Sequence, residues 1–191
     1  MKNRKELLTI YNRNPENNAY MIEISLEDYS EIFNGWDAAT IKKRDIEPEL
    51  LDYIEQSGFE IPLNETLEIY FYLPKEINDT DKENKSISGI QNNFRTVLFF
   101  IDRLLSKNYR RIASYVLISI IFLIGAYVTR NITNLNLMFS IVMEGFFIGG
   151  WFLLWEAFSL FFFDSHETKQ KRKVYKRFLE TKIFFKDNID H

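Results

Sequence analysis

The sequence predicts a membrane protein of the α+β class, with a two-helix transmembrane hairpin and a small cytoplasmic α/β domain. Three observations lead there. Ile112 to Thr129 is a run of 18 residues without a charge. A second apolar run, from about Leu135 to Phe163, is interrupted only by Glu144 and Glu156. Ahead of both, residues 1–106 hold 12 Lys and Arg against 20 Asp and Glu, and contain two short segments of strand-like composition. About 20 apolar residues cross a hydrocarbon core, so both runs qualify as spans, at about 112–129 and 136–160. The expected organisation is a domain over 1–106, a hairpin over 107–163 and a basic tail over 164–191.

Each element has its own justification. Ala19–Leu26 (AYMIEISL) and Leu67–Leu73 (LEIYFYL) are rich in aromatic and β-branched residues between polar segments, which reads as strand. Between them, Pro48 opens and Gly58 closes a stretch with an apolar face at Leu50, Leu51, Tyr53 and Ile54, a short helix. Another short helix is expected in LEDYSEIF, before Asn34-Gly35. From about Asp81 to Lys107, apolar residues recur at Ile87, Ile90, Phe94, Leu98, Ile101 and Leu105, a helical spacing. No proline separates this stretch from the first span, so a long helix is expected to run into it, with Gly89 as its weakest point. A basic helix should follow the second span, and then TKIFFK (Thr181–Lys186). That last segment has two readings. It ends an amphipathic tail on anionic lipid, with Val174, Phe178 and Leu179 inserted; or it is a third strand joining the N-terminal domain, favoured because two strands alone are marginal.

The link RNITNLN is short enough to force an antiparallel hairpin. Lys107, Arg110 and Arg111 precede the first span, and Lys169, Lys171, Arg172, Lys173, Lys176 and Arg177 follow the second, whereas the link holds only Arg130. The positive-inside rule then sets both ends of the chain in the cytoplasm. The first run starts too late, and lacks the cleavage pattern, for a signal peptide. The sequon Asn131-Ile132-Thr133 lies too near the membrane to be read as a modification site.

Composition narrows the chemistry. The acidic first part argues against nucleic acid as a partner, since phosphate contacts need clustered Lys and Arg. The absence of cysteine excludes disulfides, a thiol nucleophile and Cys-based zinc. His166 and His191 are far apart and make a poor metal site. No Ser-His-Asp set, glycine-rich phosphate loop or H-E-x-x-H occurs, so neither an enzyme nor a cofactor is expected.

The stretch FNGWDAATIKKRDIEPELLDYIEQS followed by IPLNETLEIYFYLP, with Trp155-Glu156-Ala157 near the end of the second span and a basic stretch after it, resembles a group of uncharacterised bacterial membrane proteins. In that group a small α/β segment precedes two spans. The resemblance implies a bacterial inner-membrane location and this architecture, and no activity.

Candidate sites follow from the exceptions to pattern. A carboxylate at bilayer depth costs on the order of 2.5–3.5 kcal/mol on insertion scales. Counting inward from Arg130 and Asn136, Glu144 falls near the midplane, opposite Phe122 and within a turn of Ser119. It is either a neutral acid hydrogen-bonded to Ser119, Ser140 or a backbone carbonyl, or it pairs between copies, or it lines an ion or proton path. Gly145 and Gly149 form a G-x-x-x-G, which lets helix backbones approach closely. Glu156 counts out level with Arg110, where an ion pair to Arg110 or Arg111 would lock the hairpin. Trp151 and Trp155 are expected to anchor or pack. In the soluble part, Lys42, Lys43 and Arg44 either contact an anion or partner near a helix N-terminus, or form a charged loop in which Asp45 caps the helix.

The expected protein is thus a self-assembling inner-membrane protein. Its cytoplasmic domain senses or binds a ligand or a cytoplasmic protein partner and transmits this through the 81–107 helix; by architectural analogy, a stress or phage-defence effector fits. Two alternatives are an accessory subunit anchoring a cytoplasmic partner and a small channel or transporter component using Glu144.

Overall fold

In the computed structural model, residues 8–130 and 137–188 are described. They form an α+β protein with a three-stranded, all-parallel sheet in the order β1-β2-β3, and a very long helix. The strands are β1 (Tyr20–Ser25), β2 (Leu67–Leu73) and β3 (Lys182–Asp187). The helices are α1 (Pro48–Glu60), α2 (Thr80–Arg130), α3 (Leu137–Ser159) and α4 (Ser165–Glu180), with a π-helical turn at Leu160–Asp164 between the last two. The chain divides into two compact units, residues 1–100 with 171–191, and residues 101–170. The link and its sequon lie outside the described residues.

The first unit is knitted from both parts of the chain. TKIFFK is a strand: β3 runs parallel to β2, with Ile69 beside Ile183 and Phe71 beside Phe185. On one face of the sheet Ile22, Ile24, Leu67, Ile69, Phe71, Leu73 and Ile183 are buried. Ile54, Ile90, Phe94, Val174, Tyr175 and Phe178 from the helices complete this core. Val174 and Phe178 are therefore core residues, not lipid-inserted ones. α1 and α4 pack through Gly58, where a Cβ would lie 2.4 Å from the Phe178 ring and 2.8 Å from Val174 Cγ1. Pro48 stands in the first turn of α1 with its missing N–H harmless. β2 is buried on both faces, as the central strand of a parallel sheet should be.

The second unit contains the two apolar stretches. Both α2 and α3 are long and apolar enough to cross a membrane, and little of their apolar windows is buried within the protein. Large side chains such as Ile121, Ile141, Ile148, Phe152 and Trp155 point outward. α2 is a single helix from the first unit into the first apolar stretch, unbroken at Gly89. A Cβ there would lie 2.6 Å from the Ile41 carbonyl oxygen and 2.9 Å from the Phe33 ring, so Gly89 exists to let the segment before α1 cross the helix closely.

Candidate functional site

Within residues 101–170, α2 and α3 meet at small residues. A Cβ on Gly150 would lie 2.9 Å from Leu123 Cγ and 3.2 Å from the Ser119 carbonyl oxygen; one on Gly149 would lie 3.6 Å from the Phe122 ring. Phe122 packs edge-on against Phe146, centroids 4.9 Å apart. Ser119 is buried here and donates its hydroxyl to the Val116 carbonyl of its own helix at 2.8 Å.

These contacts revise the counted register. Phe122 lies opposite Phe146 and Gly149, not Glu144, a displacement of two to five residues. Counting from the loop assumes that the two helices end level. With the observed pairing, α3 begins about one turn beyond the end of α2, because the closest approach falls where the side chain is smallest, at Gly150. Glu144 thereby comes level with the Ala126–Tyr127 turn, about six residues or roughly 9 Å from Gly150 along the helix. It is exposed and, among the described residues, accepts no hydrogen bond from Ser119 or Ser140. Gly145 beside it faces open space, with nothing within 4 Å of a Cβ. The close-packing pair is Gly149-Gly150, and Glu144 and Gly145 lie on a face that α2 does not cover.

Glu156 shifts likewise, to the level of Ser114–Tyr115. Among the described residues no ion pair joins it to Arg110 or Arg111. The Arg111 Nε donates to the Tyr115 hydroxyl at 2.9 Å, one turn along the same helix, and the guanidinium stands 5.2 Å from that ring's centroid. Tyr115 therefore holds the cation, and Glu156 acts on it only at longer range.

The basic cluster lies on a braced loop, residues 34–45. Its neck is closed by an antiparallel bridge between Phe33 and Ile46 and by Asn34 N–H donating to the Asp45 carbonyl at 2.8 Å. The Asp37 carboxylate accepts from the Ala39 and Asp45 amides, each at 2.9 Å, which holds its pKa below the ordinary value. Arg44 Nε donates to the Ala39 carbonyl at 3.2 Å. Asn92 and Asn93 of α2 donate to the Lys42 carbonyl at 2.9 Å and the Asp45 carboxylate at 3.3 Å. Asp45 therefore does not cap α1; the N-cap is Glu47, without a side-chain hydrogen bond. Lys42 and Lys43 are exposed, and Trp36 at the loop's other end is 97% exposed. Trp36 has no signature in the sequence, because a lone tryptophan in a short loop carries no periodic signal.

Two polar knots hold the first unit. Glu68 on β2 is only 2% exposed, yet it accepts from Asn14 at 2.8 Å, Asn17 at 2.8 Å and Tyr70 at 2.9 Å. Burial works against its ionisation, but these donors outweigh it and leave its pKa lowered. Tyr72 donates to Glu23 at 2.8 Å. Burial first, and then these carboxylate acceptors, push both tyrosines up to about 12. On α4, Arg177 donates to the carbonyls of Gly58, Ile61 and Pro62, closing the end of α1, and burial lowers its pKa. Lys171 pairs with Glu55 at 2.6 Å, and Tyr175 donates to the same carboxylate at 2.7 Å.

Among the described residues no group of three or more His, Asp or Glu is arranged to hold a metal ion. The groups that stand out are therefore surfaces: Glu144 with Gly145 on α3, and Trp36 with Lys42 and Lys43 on the loop. Comparison with family models, curated proteins and solved structures finds no match, so the functional reading rests on this chain's own residues.

Proposed function

We propose that the chain is an integral protein of a bacterial inner membrane that self-assembles, with a cytoplasmic α/β unit that binds a protein partner and is coupled to the membrane helices through α2. The observation that carries this is the position of β3 beside β2. Strands from before and after the two apolar helices share one sheet, so an intervening hairpin that enters a bilayer must also return. The basic residues before α2's apolar stretch and after α3's then favour the cytoplasm for that sheet. The role is one of binding and assembly rather than catalysis.

Self-assembly is supported by Glu144 and Gly145, a carboxylate and a bare backbone on a helix face that this chain leaves open. A neighbouring copy would remove that carboxylate from lipid, and Gly145 would let it approach closely. The test is the mass of the full chain in native nanodiscs. An oligomer weakened by Gly145→Leu supports assembly through this face, and a monomer leaves only an anchoring role. Ion flux from liposomes, compared between the natural chain and Glu144→Gln, distinguishes a conducting assembly from a closed one.

A further inference from the structure

We propose that the Trp36 loop docks a second copy of this chain, seating on the outer face of that copy's α1. This deepens the self-assembly proposed above, rests on it, and concerns a different surface. The loop is braced by Asp37, Asp45, Asn92 and Asn93, so its ordering cost is met before any partner arrives. All that bracing presents Trp36 to solvent, together with Lys42 and Lys43, whose side chains find no hydrogen-bond or ion-pair partner among the described residues. A single exposed apolar residue needs no explanation. A tryptophan on a rigid loop with two unpaired cations is different: it is the composition of an interface anchor.

The complementary surface lies on the same chain. Residues 45–74 contain eight Asp and Glu and no Lys or Arg. Most of the acids near α1 are engaged: Glu55 by Lys171 and Tyr175, Glu60 by Tyr11, and Glu68 by its asparagines. Glu49 and Asp52 are exposed and make no such contact among the described residues. Asp52 and Tyr53 follow Glu49 by three and four residues and Phe59 follows Asp52 by seven, which sets all four on one side of the helix, with Tyr53 and Phe59 both exposed. Two free acids and two aromatic rings thus match two free lysines and one indole. The contact runs loop to helix, which is compatible both with a reciprocal two-fold pair and with a head-to-tail ring.

The chain contains no cysteine, which allows a clean cross-linking test. Gly35→Cys in one tagged full-length copy and Gln56→Cys in a second, differently tagged one are co-reconstituted into liposomes and mildly oxidised. Gly35 has nothing within 4 Å of a Cβ, so cysteine fits there. The expected result is a mixed-tag disulfide dimer whose yield falls at least tenfold with Lys42→Glu and Lys43→Glu. Glu49→Lys with Asp52→Lys on the Gln56→Cys copy should restore it. Trp36→Ala should lower the yield with an unchanged thermal melt, since that side chain is almost wholly exposed. Absence of the mixed dimer from an assembly of oligomeric mass would overturn this contact and leave assembly standing; a monomeric mass would overturn both. Quenching of a bimane label at Gly35→Cys by brominated lipid would assign the loop to the bilayer and also overturn the proposal.

Discussion

The two units of this protein treat their polar groups in opposite ways. In residues 1–100 with 171–191, buried charges are met from within the unit: Glu68 has three donors and the terminal nitrogens of Arg177 have three acceptors, its Nε alone lacking one among the described residues. In residues 101–170 the interior contact is made by Gly149, Gly150 and Ser119, while Glu144 lies outside with no partner among the described residues. A carboxylate buried in protein costs little once every lone pair is met. One facing outward from an apolar helix costs little only in water, at a lipid interface or against another molecule. The contrast assigns structure to the first pair of charges and leaves Glu144 as the group whose surroundings are supplied from outside the chain.

The largest effect is expected at Arg177. Arg177→Ala removes the donor to the Gly58 and Ile61 carbonyls, and one of the two donors to Pro62, which also accepts from the Glu65 amide; it should destabilise the first unit by about 3 kcal/mol. Hydrogen exchange should then show α1 and β3 losing protection together. Next is Gly150→Leu, whose side chain must displace Leu123 and the Ser119 carbonyl, at about 2 kcal/mol. The matched Gly145→Leu should leave the packing of α2 on α3 unchanged; equal effects in a thermal-unfolding assay would break the assigned register.

A smaller effect is expected at Glu68. Its lowered pKa means that its contribution is full above the unfolded-state value, ordinarily 4.5, and is lost as pH falls through the lower folded value. Glu68→Gln should flatten that acidic limb of the stability curve, and Glu68→Ala should cost about 1–2 kcal/mol at neutral pH. The smallest is Glu144→Gln, predicted to change folding of the isolated chain by under about 0.5 kcal/mol. A large loss there would mean that the carboxylate has a partner within the chain.

The sequence made the elements legible, because strand composition and helical spacing are local signals. β1, α1, β2, the long helix and even β3 appear where residue type and pattern place them. Hairpin register was not legible. It depends on which small residue takes the closest approach, and a G-x-x-x-G cannot tell Gly145 from Gly150. The roles of Arg177 and Glu68 were hidden for a related reason. Arg177 sits in a run of basic residues, and only the return of β3 to the sheet brings it to the end of α1. Trp36 and the unpaired face of α1 became visible only as exposures in the folded unit.

The most direct test concerns the sheet that joins both parts of the chain across the hairpin. Single cysteines at Gly35, Asn134 and Lys173 in the full-length protein can be labelled in intact cells with an impermeant thiol reagent, before and after permeabilisation. Labelling of Asn134→Cys in intact cells, with Gly35→Cys and Lys173→Cys reached only after permeabilisation, is the predicted result. Labelling of Gly35→Cys and Lys173→Cys from opposite sides would contradict it.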